Sequence, residues 1–206
     1  MNSKSTLKEI AAIILAAGES RRLKGIVKQL IPWNKQPLIF HAINIIIESG
    51  LSLIHVILGA NYSQINQAIN QFPVTTIQNI NWREGKATSI ALGIKSLPEH
   101  VQAAMVFVVD QPFLSKEIIR IIMDSFLHGD NADIIAPYVG EIQANPVLFT
   151  RKTFPDLLKL KNEEGGKDIF SQFLVKKIRW PDKNLLTDID TIEDYNTLSP
   201  SSNLPD

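Results

Sequence analysis

"IILAAGESRRLKGIVKQL", residues 13–30, joins an apolar run to a glycine and then to several basic side chains. The run over residues 10–17 is rich in β-branched residues and stops at Gly18, so it predicts a buried strand followed by a sharp turn. A glycine at such a turn leaves backbone amides accessible. The basic residues of the loop are Arg21, Arg22, Lys24 and Lys28. Amide, guanidinium and ammonium groups together suit a polyphosphate, and the alternative is a solvated basic loop.

Strand and helix patterns alternate from residue 10 to residue 137. The predicted strands are 10–17, 53–61, 74–79, 103–112 and 132–138, and the predicted helices between them are 38–48, 63–72, 86–97 and 115–129. This alternation predicts an α/β layer fold with a mostly parallel central sheet. Further along, the predicted strands are 145–150 and 176–180, and the predicted helices are 152–160, 166–174 and 191–198. We expect one domain over residues 1–198 and a disordered polar tail over residues 199–206.

Composition restricts the classes of protein to which the chain could belong. Lys plus Arg equals Asp plus Glu at 21 each in 206 residues, whereas nucleic-acid binders usually carry a basic excess. There is no cysteine, which excludes disulfides and thiolate metal sites and is compatible with the cytoplasmic location that we expect. No apolar stretch reaches the roughly 18 residues of a membrane span. The N-terminal segment resembles a weak signal peptide, but Glu9 and the shortness of the apolar run favour a buried strand.

A second candidate for chemistry is "VFVVDQP", residues 106–112, in which an apolar strand ends at Asp110. Ligands of open parallel sheets bind beyond the carboxyl ends of the strands, so this carboxylate is placed where Mg²⁺ and substrate phosphates could share it. The alternative is that Asp110 only turns the chain. Neither G-x-x-x-x-G-K-[ST] nor G-x-G-x-x-G follows the first strand, which argues against a P-loop NTPase and a nicotinamide-dependent dehydrogenase.

Several blocks in the same order resemble the molybdenum-cofactor cytidylyltransferases, a family of nucleotidyltransferases. The blocks are "LAAGESRRLKGIVKQL" (15–30), "QPLIFHAI" (36–43), "QNINWREGKATSIALGI" (78–94), "VVDQP" (108–112), "NPVLFTRKTFPDLLKL" (145–160) and "LTDIDTIEDY" (186–195). They look like the family patterns L-A-A-G-x-S-x-R-M-G-x-x-K, G-x-P-L-L-x-H, N-P-x-W-x-E-G-M-x-x-S-L-x-x-G, L-x-D-Q-P, [HN]-P-V-L-F-x-R-x-x-F-P-x-L-x-x-L and D-I-D-T-P-E-D-Y. The resemblance runs from about residue 13 to residue 198 and implies a three-layer, Rossmann-like nucleotidyltransferase fold.

The resemblance implies roles for particular residues of the nucleotide site. Four residues would present backbone groups to the nucleotide, namely Leu15, Ala16, Ala17 and Gly18. Three residues would surround the base and ribose, namely Asn79, Gly85 and Ser89. Arg22 and Lys28 would hold the triphosphate. These two residues, together with Asp110, are the expected catalytic residues.

The resemblance also implies a metal site and an acceptor site. Asp110 and Asp190 would bind one Mg²⁺, and Asn145 and Pro146 would lie near the acceptor. Apart from the resemblance, Asp188 flanks Asp190 and is a candidate for a further metal contact. The implied reaction transfers CMP from CTP to the terminal phosphate of the molybdopterin cofactor and releases pyrophosphate, and a molybdoenzyme could receive the product. Such chemistry depends on positioning and charge neutralisation, and an ionised acceptor phosphate requires no general base.

Three alternatives stay open. One is a guanylyltransferase that uses GTP on the same cofactor, although "LAAG" instead of "LAGG" favours CTP. Another is a transferase acting on a sugar phosphate or an alcohol phosphate. The third is a non-catalytic nucleotide-binding accessory protein, against which the retention of Asp110 and Asp190 argues.

The chain departs from the family pattern at four places, one of which is Ala144, where the family has glycine. The segment "RLKGIVK" is one residue longer than the pattern, so either Lys24 is an insertion or the loop bulges, and either change could displace Lys28. Lys86 stands where the pattern has methionine. The block "NEEGGK", residues 162–167, stands where the pattern has G-D-x-G-A-R near the acceptor, which leaves the identity of the acceptor open.

Overall fold

The computed structural model describes residues 10–23, 25–129 and 131–198. These residues form one large sheet with helices on both of its faces, which confirms the predicted three-layer α/β fold. The predicted disordered tail at 199–206 and the extra loop residue Lys24 lie outside the described residues.

The strands and helices follow one another much as the sequence predicts. The strands are β1 Ile10–Ala16, β2 Pro32–Trp33, β3 Gln36–Pro37, β4 Leu53–Leu58, β5 Thr75–Gln78, β6 Ala103–Val108, β7 Ile134–Val139, β8 Ile142–Gln143, β9 Val147–Thr150 and β10 Val175–Arg179. The α-helices are α1 Leu38–Ser49, α2 Tyr62–Ile69, α3 Lys86–Lys95, α4 Lys116–Leu127, α5 Phe154–Leu157 and α6 Ile192–Leu198. Single turns of 3₁₀ helix lie at Arg21–Leu23, Lys28–Leu30, Trp82–Glu84, Arg151–Thr153 and Lys183–Leu186, and a longer one lies at Gly166–Gln172.

The strand order of the large sheet is β10-β7-β9-β6-β1-β4-β5, with β8 added to β7. β5, β4, β1 and β6 run parallel to one another, and β10 runs parallel to β7. β9 is antiparallel to both of its neighbours, β6 and β7. β2 and β3 pair in a separate two-stranded hairpin. The sheet is therefore mostly parallel, and the carboxyl ends of β1, β4 and β6 meet at one edge.

β1 lies in the middle of the sheet and supplies side chains to both layers. Ile10 and Ile14 pack in the core on the side of α1, α2 and α4, whereas Ile13 packs with α3 and α5 on the other side. Burial on both faces explains why the strand reads as a continuous apolar run. In α3, a Cβ at Gly93 would lie 2.7 Å from Cγ2 of Ile13, so the glycine lets the helix approach the strand closely.

Two predicted helices differ from their predicted form. The segment predicted as a helix over 152–160 contains only a 3₁₀ turn followed by the four residues of α5, and the segment over 166–174 is a 3₁₀ helix. Each segment packs a single apolar face in few turns, so tertiary contacts rather than helix propensity fix its form. None of the helices in the described residues is long and apolar enough to span a bilayer.

Candidate active site

The loop that follows β1 folds back beneath its own start. Gln29 is buried, and its side-chain amide donates hydrogen bonds to the carbonyl oxygens of Ala16 (2.9 Å) and Gly18 (3.1 Å). The carbonyl oxygen of Ala17 accepts a hydrogen bond from the Ala60 amide at 3.0 Å. The carbonyl groups of this segment are thus used within the protein, and its amides remain as the backbone groups for an anion.

Gly18 differs from the prediction in one respect. Its backbone is not left-handed, and a Cβ built on it would have no atom within 4 Å. The left-handed residue of the turn is Ser20, with φ of 59°. The turn therefore does not need glycine at position 18 for conformational reasons. The space beside Gly18 is part of a cavity that Lys28 and Asp110 also line.

A compact cluster of charges lies at the carboxyl edge of the sheet. The Lys28 ammonium donates hydrogen bonds to Oδ2 of Asp110 at 3.0 Å and to Oδ1 of Asp190 at 2.8 Å. The Arg22 guanidinium lies 2.9 Å from Oδ2 of Asp190. The structure thus brings together four residues that the sequence analysis assigned to phosphate and metal binding, and the longer loop has not displaced Lys28 from the carboxylates.

The chain holds Asp190 in place through its neighbours. The Ile189 amide donates to the carbonyl oxygen of Asp110 at 2.9 Å, and the Ile189 side chain is buried. The amides of Asp190 and Thr191 donate to Oδ2 of Asp194, while the Asp194 amide donates to Oγ1 of Thr191 at 3.1 Å. This reciprocal cap at the start of α6 fixes the backbone that carries Asp190.

The environment shifts the pKa values of the cluster. Burial lowers the pKa of Lys28, but the charge of Asp110 and hydrogen bonds to both carboxylates outweigh it, so the pKa is raised. Burial acts to raise the pKa of Asp190, but Lys28 and Arg22 outweigh it, so the pKa is lowered. Desolvation and the neighbouring Asp110 charge raise the pKa of Asp188 to about 6, although that residue is exposed. Lys28 and Asp190 are therefore both charged at neutral pH.

The donor set of the cluster suits a hard divalent cation. Carboxylate oxygens of Asp110 and Asp190 lie within 3.0 Å of one nitrogen, so both face a single cationic position. No group of three or more His, Cys, Asp or Glu side chains arranged for a metal occurs within residues 10–23, 25–129 and 131–198. Two carboxylates fit Mg²⁺ only if substrate phosphates and water complete its shell, which is how that ion is usually bound.

The block around Asn79 is mainly structural in its contacts. Asn79 is buried, and its amide nitrogen donates to the hydroxyl groups of Thr88 and Ser89, each at 2.9 Å. Its side-chain oxygen, Oδ1, accepts a hydrogen bond from the backbone amide of Asn81 at 3.0 Å. These bonds use both ends of the Asn79 side chain, so the residue positions the start of α3, while Ser89 lines a neighbouring cavity.

Gly85 is required by close packing. Its φ is 111°, and a Cβ on it would lie 2.1 Å from the carbonyl oxygen of Asn162. That same oxygen accepts a hydrogen bond from the Ala87 amide at 3.1 Å. The glycine thus lets the 162–167 segment reach the first turn of α3.

Three cavities adjoin at the edge of the sheet, and Leu15 lines all of them. The aspartate cavity, about 230 Å³, is lined by Gly18, Arg22, Lys28, Gln29, Asp110 and Asp190. The tryptophan cavity, about 560 Å³, is lined by Ala17, Trp82, Gly85, Lys86, Ser89 and Glu163. The phenylalanine cavity, about 390 Å³, is lined by Lys86, Asn145, Val147, Phe149, Gly165 and Lys167. Because the three cavities share lining residues, they adjoin as one cleft.

Sequence reasoning placed Asn145 and the 162–167 block near one another, and both contribute to the cleft. Pro146 follows Asn145 through a cis peptide bond. Sequence reasoning missed Gln29 and Phe149. Gln29 carried a signal, since a polar residue beside Lys28 lies in the only loop rich in basic residues that follows a predicted buried strand. Phe149 carried none, because an apolar residue in a strand predicts only core packing.

Comparisons with known proteins identify the family of the chain. Residues 12–177 match the family model described as the MobA-like NTP transferase domain. The nicotine blue oxidoreductase of Paenarthrobacter nicotinovorans is 24% identical over 89% of this chain and 93% of its own length. The molybdenum cofactor cytidylyltransferase of Escherichia coli is 25% identical over 93% of this chain and 96% of its own length.

Among solved structures, the fold is similar to that of Rv0371c from Mycobacterium tuberculosis. That structure has a TM-score of 0.80 and 22% identity, covering 94% of this chain and 98% of the other. A second structure of Rv0371c, described as a complex with manganese, has a TM-score of 0.74 and 20% identity over 94% of this chain and 99% of the other. At these identities, the likeness concerns the fold.

Proposed function

The chain belongs to the MobA-like NTP transferase family, and from this premise we propose that it transfers CMP from CTP to the terminal phosphate of the molybdopterin cofactor and releases pyrophosphate. The relative named a molybdenum cofactor cytidylyltransferase, matched over almost its whole length, supports this choice. Another relative is named an oxidoreductase, so the proposed reaction rests on the charges of the site as well as on similarity.

One observation carries the proposal. The Lys28 ammonium lies within 3.0 Å of carboxylate oxygens from both Asp110 and Asp190, beside a loop whose carbonyl groups are turned into the protein. Nucleotidyl transfer needs cations for the triphosphate and carboxylates for a divalent metal within one small space. The aspartate cavity supplies both.

The residues of this chain would act by binding and orientation. Arg22 and Lys28 would bind the β- and γ-phosphates and stabilise the charge that develops on pyrophosphate as it leaves. Amides of the loop near Gly18 would hold the phosphate chain in line. Asp110 and Asp190 would hold Mg²⁺, which supplies further neutralisation of phosphate charge when bound.

The transfer of CMP to the acceptor phosphate requires no side chain of the protein to act as a general base. An oxygen of the acceptor phosphate attacks the α-phosphorus of CTP and forms a new P–O bond, while the bond between the α-phosphorus and the bridging oxygen breaks. Pyrophosphate carries away the electron pair. Because the acceptor phosphate is already ionised at neutral pH, the enzyme needs to remove no proton, and the raised pKa of Lys28 keeps its charge available.

The choice of base and acceptor rests on resemblance. "LAAG" at residues 15–18 supports CTP over GTP, and the guanylyltransferase reading keeps the same mechanism. The changed block at 162–167 leaves a sugar phosphate or an alcohol phosphate as a second acceptor class. A recipient molybdoenzyme and a cytoplasmic location stay predictions.

Pyrophosphate release by the purified chain tests the proposal. The assay contains the molybdopterin cofactor and Mg²⁺, with CTP, GTP, ATP or UTP in parallel. We expect release with CTP and loss of release when Mg²⁺ is chelated. Release with GTP alone would replace the base and keep the mechanism. Nucleotide binding without release for any acceptor would favour the accessory protein over the enzyme.

A further inference from the structure

The phenylalanine cavity combines apolar walls with free positive charge. Its apolar lining comes from one residue of α3, Ile90, and from strand residues of the sheet, namely Leu15, Val106, Val108, Val147 and Phe149. Its charged lining comes from Lys86, Lys167 and Asp168. A cavity of about 390 Å³ with apolar walls and a few polar groups has the character of a small-molecule site.

The two lysines differ from Lys28, since neither Lys86 nor Lys167 has an ionic partner among residues 10–23, 25–129 and 131–198. The acidic residue of the cavity, Asp168, already accepts a hydrogen bond from the amide of Gly165 at 2.6 Å. Two ammonium groups at an apolar cavity therefore leave positive charge that an anionic ligand would neutralise.

Lys86 occupies the junction between cavities. It lines both the phenylalanine cavity and the tryptophan cavity. Its side chain crosses the backbone of Gly165, where a Cβ would lie 2.9 Å from Cε and 3.2 Å from Nζ of the lysine. Because Gly165 has no side chain, there is room for the Lys86 ammonium beside its backbone. Lys86 and Lys167 both line the phenylalanine cavity.

We propose that Lys86 and Lys167 form an anion subsite that binds the phosphate of the acceptor, a phosphate monoester whose apolar part lies against Leu15 and Val108, the partly exposed apolar residues of the lining. This inference rests on the proposed function, because it assigns the second substrate of that reaction to the phenylalanine cavity. It makes Lys86 a specificity-determining residue. Both lysines are exposed at the edge of the cavity, so an acceptor without the phosphate would lose its ion pairs with them and would bind more weakly.

The position of the subsite agrees with the chemistry. Leu15 is shared by the aspartate and phenylalanine cavities, so an acceptor phosphate at the mouth of the latter lies next to the space assigned to the triphosphate. Two phosphates that must approach one another repel, and lysines between them reduce that repulsion. Lys86 lines the phenylalanine and tryptophan cavities, so in this proposal it acts on the acceptor phosphate, while Lys28 and Arg22 line the aspartate cavity.

The binding of phenyl phosphate to the whole chain tests the subsite without turnover. The binding is measured by ligand-observed NMR while the protein concentration is varied. Phenol and inorganic phosphate serve as comparison probes. We expect saturable binding of phenyl phosphate, with Lys86→Met and Lys167→Met each weakening it about tenfold. Lys86→Arg should restore most of the affinity. Lys95→Met, at the far end of α3, is the matched control and should bind as the wild type does.

The outcomes separate this inference from the proposed function. Equal affinity in wild type, Lys86→Met and Lys167→Met, or no saturable binding by wild type, would overturn the subsite. Binding that depends on both lysines in a chain that releases no pyrophosphate would keep the subsite and remove the nucleotidyltransferase reaction. In an active chain, Lys86→Met should raise KM for the acceptor about tenfold and leave KM for CTP within about twofold. A change confined to KM for CTP would also overturn the subsite.

Discussion

At the scale of single residues, the site is a set of ion pairs that a substrate must rearrange. Lys28 is largely buried between Asp110 and Asp190, and Arg22 lies on the outer side of Asp190. Two cations and two carboxylates balance one another in this state. A nucleoside triphosphate and a divalent metal bring opposite charges that match the same groups, so ion pairs within the protein can be exchanged for ion pairs with substrate.

Asp110→Asn tests whether the carboxylate that follows β6 is needed for turnover. We expect turnover to fall by at least about a hundredfold, because an amide is a much weaker ligand for a divalent cation. The fold should survive, since asparagine preserves the volume and Lys28 keeps its hydrogen bond to Asp190 at 2.8 Å. Initial rates of pyrophosphate release and a thermal melt check both expectations.

Asp124→Asn is the matched control for that substitution, because Asp124 is an exposed residue of α4 far from the cleft. It should retain wild-type rates. Wild-type activity in the Asp110→Asn variant would remove Asp110 from the mechanism.

Lys28→Met tests whether the ammonium and a divalent metal compete for the same oxygens. Without nucleotide, the variant should bind Mn²⁺ more tightly than wild type by about tenfold, because both carboxylates lose their cationic partner. It should bind CTP more weakly, because a phosphate contact is lost. Electron paramagnetic resonance titration of free Mn²⁺ gives the first affinity, and calorimetry gives the second. Mn²⁺ affinity that is unchanged or weaker would show that the two cations do not share a site.

The sequence predicts some residue positions well and others poorly. Asp110 and Lys28 were predicted near one edge of the sheet because each follows a predicted strand, and the structure joins them. The contacts of Asn79 could not be predicted, because its hydrogen bonds depend on how α3 folds back on the loop. The role of Gln29 likewise depends on the path of the chain, since it bonds to carbonyl groups 11 and 13 residues earlier.

At the scale of elements, two loops and the first turn of α3 build the cleft. The loop after β1 crosses the one after β4, where a Cβ at Gly59 would lie 2.7 Å from the carbonyl oxygen of Ala17. The 162–167 segment closes on α3 at Gly85. The cleft therefore forms only when these separate segments pack against one another, and no single sequence motif builds it.

Gly85→Ala and Gly18→Ala form a pair that separates packing from ligand space. Alanine at position 85 would be strained at φ of 111° and would overlap the Asn162 backbone. We expect a loss of about 3 kcal/mol in the free energy of unfolding. Alanine at position 18 meets no protein atom within 4 Å, so stability should be unchanged while CTP affinity falls. Urea denaturation and calorimetry measure the two quantities. Equal destabilisation by both substitutions would contradict this account of the loop.

His55 should make stability depend on pH through the contact between β4 and the end of α3. Its Nδ1 lies 2.7 Å from the Ser96 hydroxyl, which itself donates to the Gly93 carbonyl, so the neutral ring donates from Nδ1. Burial lowers the pKa of His55. The unfolded chain therefore takes up the proton first, and the stability from neutral His55 is full above about pH 6.5 and is lost as pH falls through the lower folded-state pKa.

His55→Gln checks this linkage. The drop in the free energy of unfolding between about pH 7.5 and about pH 5.5 should be smaller in the variant than in wild type, by on the order of 1 kcal/mol. Denaturant titrations at both pH values measure it. Taking the difference between the two proteins removes the contributions of His41, whose pKa is also lowered by burial, and of Asp188. Identical drops would mean that His55 does not titrate in this range.

At the scale of the whole molecule, the succession of the longer strands and helices along the chain was predictable. The short strands β2, β3 and β8 and the direction of β9 were not. Continuous apolar runs such as β1 and β6 indicated strands buried on both faces, and the helices between them indicated parallel pairing. β9 was predicted as a strand, but its antiparallel place between β6 and β7 depends on pairing between distant segments. Side-chain alternation is the same in both directions, so periodicity does not show it.

The fold brings the ends of the chain's functional segments together. Residues near 18, 85, 110, 145, 165 and 190 are far apart in sequence and line one continuous cleft. The central claim is therefore that one end of this cleft binds a nucleoside triphosphate and the adjoining cavity presents a phosphate that attacks it.

The measurement that tests this claim most directly follows the α-phosphate of CTP. The wild-type chain is incubated with Mg²⁺, the molybdopterin cofactor and CTP radiolabelled at the α-phosphate, with Asp110→Asn as the inactive comparison. We expect the label to move onto the cofactor in the wild-type reaction, in equal amount to the pyrophosphate released, and to stay on CTP in the variant. Release of the label as free CMP, or its retention on CTP in both proteins while CTP binds, would contradict the claim.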